Sequence, residues 1–208
     1  MTQRTLATSL IVWFCFFLLL ALPRSPSAGQ VSGGSNLLQN PGFEEGTEDW
    51  HVDHETTQFN TVTEPVHSGQ WAASLNRTDG FGGEIYISQD VEGIVGGVSY
   101  ALSGWATCNS NFRWVKLRID WRNASGSVGL WVDSDPLTGD EEYQLLTIPK
   151  EGEGEGVRAP PDATIARIEC MACIQNPNPA TPVFFDDLSF TFQGLNWKVY
   201  LPLVVKNY

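Results

Sequence analysis

The sequence predicts an all-β sandwich, and three observations carry the prediction. Short runs alternate apolar and polar residues with period two, and clusters of Gly, Asn, Asp and Pro separate those runs. Past the first 28 residues no stretch shows a helical period. Strands are expected near 57–63, 71–76, 83–91, 97–108, 112–122, 127–132, 143–148, 165–174 and 183–192. Asp79-Gly80, Gly96-Gly97, Asn109 to Asn111, Asn123 to Gly126 and Asn176 to Pro179 punctuate them.

The alternation also assigns sides. In 83–91, Ile85 and Ile87 would face the core and Glu84 and Tyr86 the outside. In 97–108, Tyr100 and Leu102 would be core, which sends Trp105 outward. In 112–122, Val115, Leu117, Ile119 and Trp121 form the apolar side, opposite Trp114, Lys116, Arg118 and Asp120. In the last strand Asp186 shares its parity with Phe184, Leu188, Phe190 and Phe192, so its carboxylate is expected to point at the core and need a partner.

The chain divides into four parts. Arg4 precedes an unbroken apolar run from Leu10 to Leu22, followed by Pro23 and the small residues Ser25, Ser27 and Ala28. Residues 1–28 therefore read as a secretory signal peptide, too short for a comfortable membrane span, and the product is expected to be secreted or on the cell surface. Residues 29–35 are a polar linker, 36–192 the sandwich, and 193–208 a tail with the apolar end YLPLVVKNY. Lys150 to Gly156 is an acidic loop with alternating glycines.

Net charge is −12, and removing a leader that holds two arginines and no acids makes it more negative. Such a charge repels phosphate backbones and anionic membranes, so neither nucleic acid nor a membrane is an expected partner. Cys108, Cys170 and Cys173 remain beyond the leader. On a strand, Cys170 and Cys173 face opposite sides and cannot bridge each other. A disulfide from Cys108 to one of the two is expected in an exported protein, leaving one thiol free.

Two ends of the chain carry a resemblance. Asn36 to Gly46 (NLLQNPGFEEG), closed by Trp50, and Val183 to Phe190 (VFFDDLSF) resemble the two ends of CenC-type carbohydrate-binding modules, within the galactose-binding-like β-sandwiches. Val66 to Leu75 resembles the family's H-S-G-x-x-A-x-x-L step, Val98 to Trp105 its Y-x-L-S-G-W strand, and Ala159 to Ile168 its late A-P-x-x-A-x-x-A-R-I turn and strand. The resemblance implies a two-sheet jelly roll with no catalytic role. It also implies a structural calcium held by Glu44 and Asp186, with carbonyls from Ser68 and Gly42, a mixture that suits an ion taking six to eight oxygens. The alternative has Glu44 and Asp186 capping backbone N–H groups at the sandwich edge.

Tyr86, Trp105, Trp114, Arg118 and Asp120 all have outward parity and are expected to share one sheet face. Flat aromatic rings suit the C–H faces of sugars, and Arg and Asp can hydrogen-bond hydroxyls, so a polysaccharide or surface glycan is the expected partner. The competing class is a cell-envelope structural or protein-interaction module with the same fold and no glycan site. Catalysis has poor support: His51, His54 and His67 lie in loops, and no G-x-S-x-G, P-loop or H-E-x-x-H occurs.

Overall fold

The structure is a computed structural model that describes residues 34–52, 54–77, 79, 81–139, 141–175 and 182–194. The expected signal peptide over 1–28, most of the 29–35 linker and the YLPLVVKNY end lie outside the described residues. Among the described residues eleven strands form: β1 (His51–Val52), β2 (Thr57–Val62), β3 (Ala72–Arg77), β4 (Gly83–Glu92), β5 (Ser99–Thr107), β6 (Phe112–Asn123), β7 (Gly126–Asp133), β8 (Gln144–Ile148), β9 (Val157–Arg158), β10 (Ile165–Ile174) and β11 (Val183–Phe192). All nine expected strands are present within two residues at each end; the two-residue pieces β1 and β9 are additions too short to show a period.

One sheet has the order β1-β4-β10-β6-β7; the other runs β2-β3-β11-β5-β8, with β9 pairing β5. Every pairing is antiparallel. Only β2–β3 and β6–β7 are hairpins between sequence neighbours in one sheet, while β3 to β4, β4 to β5, β5 to β6 and β10 to β11 each cross between sheets. This is the two-sheet sandwich that the sequence predicts.

The core forms where the inward parities meet. Ile85 and Ile87 of β4, Leu117, Ile119 and Trp121 of β6, and Ile168 of β10 face Leu75 of β3, Leu102 of β5, Ile148 of β8 and Phe185 and Phe190 of β11, all at most 1% exposed. Gly104 of β5 is where the sheets approach most demandingly: a Cβ there would strike Leu188 and come 3.3 Å from Leu117. The opening segment closes one side of the sandwich against the last strand. Leu37 donates its amide to the Phe190 carbonyl at 2.8 Å, Leu188 donates to Pro41 at 2.9 Å, and the Asn36 side chain both donates to Leu188 and accepts from Phe190. Phe43 is wholly buried, 5.4 Å from Trp50 and 6.2 Å from Phe59 by ring centroids.

β11 corrects the expected side of Asp186. Pairing runs Phe184 with Thr107, Asp186 with Trp105, then Ser189 with Ser103, so one extra residue is bulged between 186 and 189, with Asp187 at φ 48°. Phe185 rather than Phe184 is the core residue ahead of the bulge, and Leu188 and Phe190 follow it. Asp186 thus lies on the outward side with Trp105. Its exposure is nevertheless 0%, because the backbone of His67 and Ser68 lies over it.

Candidate functional site: the outer face of the five-stranded sheet

The outward residues of β4, β10, β6 and β7 make one continuous face. The register sets Tyr86 and Lys116 on either side of Met171, Arg118 between Glu169 and Asp133, and Asp120 between Arg167 and Trp131. The parity read from the sequence for Tyr86, Trp114, Arg118 and Asp120 is the parity found.

Trp105 is the correction. It lies on β5, in the six-stranded sheet, and therefore looks out on the opposite side of the molecule from the other four. Alternation tells inward from outward but not which sheet a strand joins, and the crossings between β4, β5 and β6 separate them. Trp105 carries the His67 ring on it, with centroids 4.0 Å apart and planes 14° off parallel, and Tyr143 meets that histidine edge-on at 5.6 Å.

Three residues absent from the sequence expectation complete the face. Trp131 of β7 is 58% exposed, and the Arg118 guanidinium sits 5.4 Å from its ring centre. Asp133 accepts both arms of that guanidinium, from Nε at 2.6 Å and Nη2 at 3.0 Å. Glu169, nearly buried, lies 3.9 Å from Nη1, and Lys116 reaches Asp133 at 3.5 Å while covering Trp114 at 4.8 Å. Burial pushes the Asp133 carboxyl up, but Arg118, helped by Lys116, outweighs it and holds the group below its ordinary value; the hydrogen bond that Arg118 donates to Asp133 raises the guanidinium in turn. β7 alternates weakly through Gly126, Ser127 and Gly129, so its parity was not legible. A cross-strand aromatic such as Trp131 has no local sequence signal that ties it to Arg118.

Chemically, this face offers two tryptophans flanking a row of charges that are paired with each other. From Trp114 to Asp120, beside which Trp131 stands, is six residues of strand, about 20 Å at 3.3 Å per residue. Arg122 bonds Asp120 at 3.1 Å and Arg167 bonds Asp90 at 2.7 and 2.9 Å, so these two arginines are engaged as well. A surface of fixed, mutually neutralised donors and acceptors between aromatic platforms matches a long polar ligand without net charge.

A second cluster gathers the residues expected at the metal. Asp186 Oδ2 accepts the amides of His67 at 2.8 Å and Ser68 at 3.1 Å, and Oδ1 accepts that of Asp187 at 2.8 Å. Glu44 Oε1 accepts the amides of Gln70 and Trp71 at 2.8 and 3.3 Å. Asp187 takes the Ser68 hydroxyl at 2.9 Å and His67 Nδ1 at 2.6 Å, so serine and histidine bind the same carboxylate rather than each other. Burial pushes the Asp186 carboxyl up, against the pull of the three amides. Burial also raises the Tyr143 hydroxyl, as do Asp186 and Asp187. Glu44, Ser68 and Asp186 are brought together, and their hydrogen bonds are those of a backbone latch.

The same corner offers carboxylate oxygens of the kind a hard cation takes. A Cβ on Gly42 would lie 3.7 Å from Asp187 Oδ1, 3.9 Å from Asp186 Oδ1 and 3.9 Å from Glu44 Cγ. Among the described residues no three His, Cys, Asp or Glu side chains group to hold a metal. Calcium would therefore depend on backbone carbonyls, those of Gly42 and Ser68 among them, beside Glu44 and Asp186.

Contrary to the expectation, no disulfide joins Cys108, Cys170 or Cys173. Cys170 points into the core from β10, where burial raises its thiol well above the ordinary value, and Cys173 lies on the outer face beside Trp114 and Glu84. Cys108 is buried at the end of β5 in the opposite sheet. Among the described residues no helix is long and apolar enough to cross a membrane.

No protein-family model and no curated protein matches the sequence. Solved structures do match the fold. The C-terminal family 22 carbohydrate-binding module of Clostridium thermocellum Xyn10B is 14% identical with a TM-score of 0.54, over 82% of this chain and 98% of the module. The enzymatically active domain of bacteriophage CBA120 tailspike protein 4 gives 13% identity and a TM-score of 0.59 over 76% of this chain, which spans only 21% of that protein. The arabinose-bound α-L-arabinofuranosidase MgGH51 gives 13% and 0.58 over 80% of this chain and 28% of its own. The fold of residues 34–194 is thus the β-sandwich found in carbohydrate-binding modules.

Proposed function

We propose that this chain is an exported, non-catalytic carbohydrate-binding module, and that it holds an uncharged polysaccharide along the outer face of the five-stranded sheet. The observation that carries the reading is Trp131, 58% exposed and backed by Arg118, on the same sheet face as Trp114 and Tyr86, where Arg118 is itself paired with Asp133. An exposed tryptophan on a rigid strand is costly to solubility and is what a sugar ring stacks on. Structural neighbours of this fold include a xylan-binding domain of family 22, which supports a plant or microbial β-glycan as the ligand class. Glu44 and Asp186, with carbonyls of Gly42 and Ser68, are the residues that would hold a structural calcium, clamping the opening segment to β11.

The test is affinity electrophoresis of the chain in gels containing soluble xylan, β-glucan or galactan. Retardation by one of them, weakened in Trp131→Ala and Trp114→Ala, is the expected result. Retardation undiminished by both substitutions overturns the face assignment, and unretarded migration in all three gels favours the cell-envelope interaction module instead.

A further inference from the structure

The outer face of the six-stranded sheet has a groove of 580 Å³, bounded on one side by the 149–154 loop. Its floor contains a row of three hydroxyls set across three strands. Ser103 of β5 stands directly opposite Ser189 of β11 on one side and Thr147 of β8 on the other. Adjacent strands lie about 4.8 Å apart, so the row is about 10 Å long. All three residues are half-buried, and no described residue hydrogen-bonds to any of the three hydroxyls. Thr191, next along β11, accepts the Gln193 side-chain amide at 2.7 Å and extends the polar floor.

Half-buried hydroxyls in a concave site, with donor and acceptor capacity unspent, are complementary to a ligand that presents hydroxyls of its own. Charge narrows the class. The one lysine in the groove wall, Lys150, is held by Asp135 at 2.7 Å, Glu151 adds a negative charge, and the chain as a whole carries −12. A polyanion is opposed. Two residues beyond Ser103 on the same side of β5 stands Trp105 with His67 stacked on it, so the groove leads toward an aromatic surface.

The geometry points to a second glycan-binding site in this groove, on the opposite sheet from the first, with Ser103, Thr147 and Ser189 as its hydrogen-bonding floor. It shares the ligand class with the function proposed above but none of its residues. A module with sites on both faces joins two glycan strands, and on a dense polysaccharide surface the second contact becomes an intramolecular one that strengthens retention without strengthening either site.

The test is an NMR titration of the 15N-labelled full chain with xylohexaose, cellohexaose and a β-1,4-galactan oligosaccharide in turn. Two separate groups of amide shifts are expected, one around Trp114, Arg118 and Trp131 and one around Ser103, Thr147 and Ser189. In the variant Ser103→Ala/Thr147→Val/Ser189→Ala, which keeps side-chain size, the second group alone should weaken by about tenfold or more, as losing three hydrogen bonds implies. The first group of shifts in that variant serves as the control for folding. Absence of shifts at Ser103, Thr147 and Ser189 with every probe, or an unchanged titration in the triple variant, overturns the second site whether or not the five-stranded face responds. Shifts in the groove with none at Trp114, Arg118 and Trp131 would uphold this inference and overturn the assignment of the first face.

Discussion

Asp186→Ala removes the acceptor for three backbone amides at once, those of His67, Ser68 and Asp187. The carboxylate is 0% exposed, so the methyl that replaces it leaves donors in a site without ready access to water. Each unsatisfied buried donor costs about 1–3 kcal/mol. The sum is reduced because the amides are only partly buried and because burial already penalises the charged carboxylate, whose pKa it raises. A net loss of about 3 kcal/mol is expected, which for a chain of this size lowers Tm by about 6–12 °C. The assay is urea denaturation and thermal unfolding at neutral pH, each in EDTA and in millimolar calcium. In EDTA the full loss should appear, since the latch needs no ion. If calcium also binds here, wild type should gain stability in calcium by mass action and the variant should not. A loss below about 1 kcal/mol in EDTA would refute the latch. Identical wild-type curves in calcium and EDTA would refute the metal.

What was legible in the sequence was parity, and what was not was assembly. Val115, Leu117, Ile119 and Trp121 against Trp114, Lys116, Arg118 and Asp120 gave both sides of β6 correctly, because the residues from Trp114 to Trp121 alternate without interruption. Trp105 was correctly read as outward and wrongly placed beside them, since the side of a strand is a local property and sheet membership is set by crossings elsewhere in the chain. Asp186 failed for a different reason. The bulge after it shifts the frame, so Leu188 and Phe190 are inward while Asp186, an even number of residues away from both, is not. Trp131, Asp133 and Glu169 reach the site only through pairing with Asp120 and Arg118, across a β7 whose glycines hide its period. The cysteines show the limit of a compositional argument: export favours oxidation, but Cys108 and Cys170 end in a core on strands of different sheets, and Cys173 faces away from both.

The free thiols give a direct check: in the native protein a small aromatic disulfide reagent should modify Cys173 at most, because Cys108 and Cys170 are buried, and all should react in denaturant. Equal numbers before and after denaturation, each below three, would instead indicate a bridge. Trp131→Ala and Trp114→Ala should leave Tm within about 2 °C of wild type while weakening glycan retention, whereas Trp121→Ala, 1% exposed in the core, should cost about 3–5 kcal/mol. A reversed order in the melting curves would mean that the outer tryptophans are structural. Glycan binding on the five-stranded face should also fail in acid, through Asp133. Its carboxyl is held below the ordinary value of 3.8 in the folded protein, so the unfolded state takes up its proton first as pH falls. The stabilisation is therefore fully present above about pH 4 and is lost as pH falls through the lower, folded value. Protonation removes the acceptor that fixes both arms of Arg118, and with it the cation that backs Trp131. Retention measured from pH 7 down to pH 2.5 should hold until below pH 4 and then drop, while Asp133→Asn should bind weakly at every pH with a flat profile. A wild-type profile that stays flat into the acid range, or an Asp133→Asn variant that retains glycan like wild type, would show that Arg118 and Trp131 keep their places without this carboxylate.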